Sequence, residues 1–485
     1  MPPRREVRQK RRQRRIRRAA ILSALVAVVA VVGVVLYFVV RLFVGWFAAT
    51  IGGNMDKADD AGNANPSQTV GPKVVATATV GSSGDILIHN TVRKAAYNEQ
   101  TQTYDFDYSL AHLAPYVSAV DYAVVNAEFS VSVDGNYGAL PFRVPESVVS
   151  ALKNCGYDMG LTANNHIADG GVSGIKKTMS TLAAYGMDYT GTRKDASDPK
   201  FLVKDINGIK IGFANFTYGS YWNTNGYDQK NPQALYNAAS EMITQMRGEG
   251  ADLIYFYIHW GYEYALAPDV DQTAVAQRLC DLGVDVIIGG HPHKIQPLEL
   301  VTSTDGLRQM ICLYSMGNLL SGQQVECMAG GTQANSPNCY QDSWHYPGCD
   351  YPDVADRTQD THRLEHGTTC NDSGHTEDGL LFNVTASKFE DGTVMITGVD
   401  VLPVWCMGRG FIRAPYPTNS SFEEYIVIPL EKGKDWKTAY GLTDAEMVEA
   451  QYSYDRTMKL VGNGVNTINT AYQKKVDEYK KTVVQ

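Results

Sequence analysis

The sequence predicts an α/β protein with metal-capable side chains at its sheet edge, preceded by one membrane span. Three observations predict it. Short β-branched runs alternate with stretches of helical spacing, the pattern of a sheet with helices packed on it. Strand after strand ends in Asp, Glu, Asn or His. Ten Lys or Arg among the first 18 residues run straight into Ala19–Val40, 22 residues without a charge.

That uncharged stretch is long enough to cross a hydrocarbon core of about 30 Å. It is too long for a signal-peptide core, and no Ala-x-Ala cleavage site follows it. The basic flank marks the cytoplasmic side, so everything after Arg41 is expected outside the cell membrane. Residues 1–18 thus read as a basic cytoplasmic tail, 19–40 as a transmembrane anchor and 41–72 as a linker, polar and rich in Gly, Asn and Asp from residue 52. Setting aside the ten bases, Arg41 and Glu6 leaves 32 Lys/Arg against 51 Asp/Glu, a net charge of −19. Nucleic acid is excluded as a partner, because phosphate binding rests on clustered Lys and Arg. A bare polyanion is repelled unless a metal or local bases offset the field.

The main domain is expected over 73–410. Val74–Val80 reads as a strand leading to Gly84-Asp85, and Asp107–Ser118 as a helix. Tyr122–Val125 is a strand that runs into Asn126-Ala127-Glu128. Ser147–Cys155 is a helix, and Asp158–Thr162 a strand ending in Ala163-Asn164-Asn165-His166. Gly174–Tyr185 has helical spacing, stopped by Gly186. Ile209–Phe216 and Leu253–Ile258 are strands, the second ending in His259-Trp260. A helix over Ala274–Leu282 precedes the stretch VDVIIGGHPHKIQPLE at Val284–Glu299. Here Asp285–Ile288 reads as a buried parallel strand. Gly289 and Gly290 end it in a sharp turn, placing His291 and His293 at its carboxyl end, where open α/β sheets keep their sites. Met310–Tyr314 is a strand ending in Ser315-Met316-Gly317-Asn318.

From 321 to 377 the alternation stops. This segment holds Cys327, Cys339, Cys349 and Cys370, whose spacing does not match the paired Cys-x-x-Cys of zinc sites. In an exported chain they read as two disulfides stapling an insertion. Cys155, Cys280, Cys312 and Cys406 are dispersed in apolar or strand-like context. Leu380–Phe389, a turn at Asp391-Gly392 and Val394–Val404 read as a hairpin. Residues 411–485 form a C-terminal extension, largely helical from Thr443.

An isolated His-x-His belongs more often to a solvated loop than to a metal. Asp85, Glu128, Asn165, His259, His291 and His293 together, all at strand ends, are harder to dismiss. Carboxylates, an amide oxygen and imidazoles suit one or two divalent cations such as Mn, Zn, Fe or Mg. Two such cations clamp an oxyanion and lower the pKa of water, and His166 is placed to protonate a leaving group.

These residues fall into a run of motifs: Gly84-Asp85, Asn126-x-Glu128, Ala163-Asn-Asn-His166, His259-Trp-Gly-x-Glu263, His291-Pro-His293-x-x-Gln296-Pro297 and Tyr314-Ser-x-Gly-Asn318. The run resembles the capsule synthesis protein CapA family over roughly residues 74–405. The resemblance implies a calcineurin-like metallophosphoesterase fold, an αββα sandwich, and a part in the synthesis or export of capsular poly-γ-glutamate. By the same resemblance Asp85 is the first metal aspartate and Glu128 stands for the bridging carboxylate. Asn165 and His166 stand for the Asn and substrate-facing His of a Gly-Asn-His motif, and His259, His291 and His293 for the later ligands. Glu263 joins His166 as a catalytic candidate. The chain departs from the superfamily at Leu87, where Asp-x-His requires a histidine. His89 is the nearest substitute, about 13 Å along an extended chain from Asp85. The chain also carries Glu rather than Asp at the bridging position.

The expected function is that of a membrane-anchored extracellular component of capsule or poly-γ-glutamate synthesis with a metal-dependent hydrolase-like domain, acting on a phosphoester or an amide. Its expected partners are the membrane, an anionic polymer such as poly-γ-glutamate, and membrane-embedded synthase subunits. A non-catalytic polymer-binding component and a general surface phosphoesterase are the alternatives.

Overall fold

Two mixed sheets, each with a helical layer on one face and the other sheet on the opposite face, frame the protein in this computed structural model, which describes residues 71–323, 376–409 and 424–482. The expected span at 19–40 and the four cysteines expected to form disulfides lie outside the described residues. Among the described residues, no helix is long and apolar enough to cross a membrane. From Val70 onward the chain forms one compact unit.

The first sheet runs in the order Glu424–Pro429, Val394–Arg409, Asp378–Phe389, Val74–Leu87, Tyr122–Asn126, Met159–Leu161 and Asp188–Thr190, with Asn318–Ser321 also paired to Val74–Leu87. The second runs Gly226–Tyr227, Ile209–Tyr218, Leu253–His259, Val286–Gly290, Gln309–Leu313 and Leu298–Thr302, with Leu202–Ile206 on Ile209–Tyr218. The parallel strands at the centre of each sheet are apolar on both faces because both are covered. Val80, Val124 and Leu161 of the first sheet meet Phe213, Tyr255, Tyr257 and Ile288 of the second in a core between the sheets. The outer face of the first sheet packs Val125 and Ala127 against Val149 and Leu152 of the Ser147–Cys155 helix. That of the second packs Phe256 and Ile287 against Met242 of Gln233–Gly248 and Leu279 of Val270–Leu282.

Several elements lie where the sequence places them. Ser147–Cys155 is a helix with the same ends, closed by Gly156 in the left-handed region at φ 112°. The helix over 171–184 starts three residues earlier than expected and is followed by Gly186 at φ 71°. Two expectations change. Asp107–Ser118 is not one helix but two short pieces, Asp107–Leu110 and Ala114–Val117, the second with Pro115 in its first turn; proline has no N–H to continue a preceding helix. The first strand does not stop at Val80. It continues to Leu87, because Gly81, Ser82 and Ser83 pair with Leu381–Asn383 on one side and Ala123–Val125 on the other. Cys155, Cys280, Cys312 and Cys406 are buried free thiols.

The C-terminal residues are integral to the sheets. Glu424–Pro429 adds an edge strand to Val394–Arg409, and the 39-residue helix Asp444–Thr482 lays Val461, Ile468 and Tyr472 on the core between the sheets. Arg456 anchors this helix. Its Nε and Nη2 each donate to Asp378 at 2.8 Å, and Nη2 also reaches Glu377 at 3.2 Å, all buried. Removing the guanidinium takes both of its charge-assisted hydrogen bonds from the buried Asp378 carboxylate. Arg456→Met should therefore cost about 3–5 kcal/mol. Urea unfolding would show this as a lower midpoint with an unchanged slope, and a loss under about 1 kcal/mol would mean the pair is screened like a surface one.

Candidate metal centre

The site is built by the register of the two sheets. In the first, Asn318, Asp85 and Asn126 stand side by side, with Leu161 next to Asn126. In the second, Thr217, His259 and Gly290 form the matching row. Side chains leaving these two rows meet at the carboxyl edge, which gathers residues far apart in sequence.

Glycines let the rows approach. A Cβ on Gly84 would lie 1.9 Å from the Gly317 carbonyl oxygen, and one on Gly289 the same distance from that of Tyr314. Gly289 and Gly290 do not form the expected turn. Both belong to the strand, and Gly290 leaves room for the Asp85 carboxylate, 2.9 Å from where its Cβ would be. The turn falls instead on His291 and His293, at φ 95° and 57°. A left-handed backbone costs a non-glycine residue about 1–3 kcal/mol and persists where the surroundings enforce it.

Asp85 is fully buried. Asn126 Nδ2 donates to its Oδ1 at 2.7 Å, and the backbone N–H of His291 to its Oδ2 at 3.3 Å. His293 Nδ1 stands 3.1 Å from both Asp85 Oδ2 and Asn318 Oδ1. Glu128 lies on the far side of Asn126, which also donates to its Oε2 at 3.3 Å. Its Oε1 is 3.4 Å from His259 Nε2 and 3.9 Å from His293 Nε2. Asn165 Oδ1 accepts from His259 Nε2 at 2.7 Å. Three sets of ligand atoms cluster within 4.8 Å: Asp85, Glu128 and His293; Glu128, His259 and His291; and Glu263, His291 and His293. Glu128 belongs to the first two sets, as a bridging carboxylate must. Glu263, expected as a catalytic group, is exposed yet within ligand reach of two histidines.

The buried groups of the site shift one another's proton affinities. Burial alone would raise the Asp85 pKa, but His293, then His259 and Asn126, hold it below the usual value. Burial and then the Asp85 charge push Glu128 well above its usual value. His293 is drawn up to about 9 as Glu128 and Asp85 overcome its burial. Burial depresses His259 to about 3, and it takes His291 well below its ordinary value, aided by His259 and His293. One anionic carboxylate and a second held toward its protonated form thus face one cationic imidazole and two neutral ones. The hydrogen bonding is also incomplete: Glu128 Oε1, His259 Nδ1 and His291 Nδ1 are buried without a partner. Buried donors and acceptors are seldom left so. A divalent cation accepts such lone pairs, and its charge favours the ionised form of Glu128, so this donor set fits one or two of them.

His166 borders the cluster and does not enter it. Its Nδ1 is 2.9 Å from Asp169 Oδ2, and its ring meets Phe142 edge-on at 4.7 Å. His89 stands apart from the three ligand sets. It precedes the Asn90–Ala95 helix without a side-chain capping bond, its Nδ1 lies 3.2 Å from the Leu87 carbonyl oxygen, and its Nε2 is buried without a hydrogen-bond partner. The chain turns at its strand end, and Phe142 packs edge-on to its ring at 4.9 Å. Leu87 lies in the helix-side core, so position 87 offers no ligand either.

Sequence reasoning assigned no role to four residues that structure the site. Asn126 and Asn318 orient the carboxylates and His293, and both stood in quoted motifs. Asp169 follows His166 by three positions. Tyr218 stacks on His259 with ring centroids 6.1 Å apart and planes 13° apart, and its ring lies 4.7 Å from that of His291. No local pattern marks it.

The fold and edge define a class: a two-sheet α/β protein with a carboxylate–histidine cluster suited to divalent cations. The family model for the bacterial capsule synthesis protein PGA_cap matches residues 79–323, just over half of the 485 residues and all of the cluster. The chain belongs to that family. It is 31% identical over 253 residues to a capsule biosynthesis protein CapA of Bacillus anthracis, covering 50% of this chain and 59% of that one. It is 30% identical over 250 residues to a PGA biosynthesis protein CapA of Bacillus subtilis (strain 168), covering 50% and 62%. A probable polyglutamine synthesis accessory protein of Mycobacterium tuberculosis is 23% identical over 200 residues, 38% of this chain and 52% of that one. The match thus spans about six tenths of the length of the two Bacillus relatives. A crystal structure of a hypothetical protein from Thermus thermophilus aligns with 67% of this chain and 98% of its own, at 14% identity and a TM-score of 0.35.

The ligand assignment has a direct check. After incubation with Mn²⁺ or Zn²⁺ and desalting, elemental analysis of folded His291→Ala should show at least one equivalent less metal than the native protein. His89→Ala should retain nearly all of it. Equal occupancy in native protein and His291→Ala would place the metal elsewhere.

Proposed function

We propose that this chain is an anchored, extracytoplasmic component of capsule or poly-γ-glutamate synthesis whose metallophosphoesterase-like domain is a metal-dependent hydrolase. The observation that carries the reading is the set of buried atoms without partners, Glu128 Oε1, His259 Nδ1 and His291 Nδ1, converging beside Asp85. Family membership and the likeness to the two Bacillus CapA proteins support the capsule assignment. The uncharged stretch 19–40 behind its basic flank supports the anchor.

Asp85, Glu128, His259, His291 and His293 would hold the cations, with Asn165 and Glu263 beside them. Bound there, divalent cations supply Lewis acidity toward an oxyanion and a hydroxide at neutral pH. The chain's own groups do the rest. Asn126 fixes the spacing of the two carboxylates, and Tyr218 shields two imidazoles from water. Asp169 holds Nδ1 of His166, which leaves Nε2 to give a proton to a departing alkoxide or amine. A polyanionic substrate meets repulsion from an exported segment with net charge −19, so its approach depends on cations at this edge.

Leu87 favours a second reading, a non-catalytic domain that binds and guides nascent polymer, because one ligand position of the superfamily is apolar here. The two readings separate at His166. For an enzyme, His166→Ala should keep its metal and lose about 10²–10⁴ in turnover of a chromogenic phosphodiester or of poly-γ-glutamate. Asp169→Asn should lose less, since the proton donor remains. If metal-loaded native protein turns over neither compound yet binds the polymer, the guiding role stands and the hydrolase does not.

A further inference from the structure

Tyr218 ends the strand Ile209–Tyr218, one residue beyond Thr217, which pairs in register with His259. Its ring therefore lies along the same carboxyl edge as the cluster. The ring is nearly parallel to His259 and close to His291, so the phenol forms a wall of the site. The titratable groups that act on the phenol are Tyr221, Glu263 and Glu128, two of them members of the ligand sets. The ring stacking accounts for the aromatic body. It does not account for the hydroxyl, which makes no hydrogen bond to another described residue and is only partly buried. Phenylalanine would pack equally well on two imidazoles, whereas a tyrosine adds an O–H donor beside a cluster whose ligand atoms are carboxylate oxygens and ring nitrogens.

We infer that the Tyr218 hydroxyl is an oxyanion-binding donor of this site, contacting the ligand directly. This rests on the metal-centre reading above and extends it. Asp85, Glu128 and Glu263 are acceptors and would repel a phosphate or a tetrahedral oxyanion. Asn126 and Asn318 spend their amide N–H groups on Asp85, Glu128, Gln323 and the Thr376 carbonyl, whereas a phenol, protonated at neutral pH, can donate to such an oxygen without adding charge. Preorganised donors of this kind act where negative charge develops. The ligand class is thus an oxyanion, either a phosphoryl group or the adduct of an attacked amide.

The test uses the full chain loaded with Mn²⁺, and inorganic phosphate as the probe. Tyr218→Phe keeps the ring and deletes the donor. It should retain the native metal content and bind phosphate about 10- to 100-fold more weakly by calorimetry, the loss expected for one hydrogen bond to a charged group. Tyr218→Leu, which removes the ring, should lose metal as well. Native phosphate affinity in Tyr218→Phe overturns the proposal, as does loss of metal in that variant, which would make the hydroxyl structural. Native protein that takes up metal and binds no phosphate also overturns it. Failure of the underlying reading looks different: equal metal content in native protein and His291→Ala, which removes the proposal with it.

Discussion

The Asp85 carboxylate is buried at the point where the two sheets converge, and it takes its partners from both. Asn126 donates from the first sheet, and the His291 backbone and the His293 ring come from the second. A carboxylate without water must be paired, so its position fixes those of its partners. It stands beside Gly290 because only a residue without a Cβ leaves room. The left-handed backbone at His291 and His293 then brings one main-chain N–H and one imidazole back onto it. Displace Asp85 and Asn126 loses the acceptor that aligns it between two acids.

The same arrangement explains the electrostatic direction of its neighbours. Asp85 stays charged because three donors face it, and its charge pushes the Glu128 proton affinity upward. His293 is held cationic by both acids, while His259 and His291 are kept neutral by burial. Neutral imidazoles and anionic carboxylates are the forms that bind metal. Asp85, His259 and His291 are thus held ready, while Glu128 and His293 tend to carry protons that a cation would displace.

Glu128, Asn165, His259, His291 and His293 stood out in sequence because they lie just past apolar runs, and Asp85 because Gly84-Asp85 follows a β-branched one at a short distance; parallel strands carry such ends to a common edge. The conformation of that edge was less legible. Gly289-Gly290 reads as a turn, yet the glycines serve close approach and the histidines take the strained backbone. Gly81-Ser82-Ser83-Gly84 reads as a loop, but small residues are what a strand pressed between two neighbours and a second sheet requires, as the contact of Ser82 with Tyr257 at 2.9 Å shows. The hairpin at Asn207-Gly208, with φ of 55° and 83°, carried the signal of a type I′ turn and was legible in principle. Tyr218 and Asp169 were not. Their roles arise from strands and loops brought together by tertiary packing, and no spacing in the chain encodes it.

The C-terminal helix has a consequence beyond holding the sheets together. Leu298–Thr302 is the outermost strand of the second sheet, and a bare outer strand offers unpaired main-chain groups to any other extended chain. Gly464 of the helix lies so close to it that a Cβ there would be 2.1 Å from the Leu298 carbonyl oxygen. The helix backbone therefore occupies the place where a foreign strand would dock. This covering guards the edge against self-association, and Gly464, without a Cβ, lets the helix fit against it.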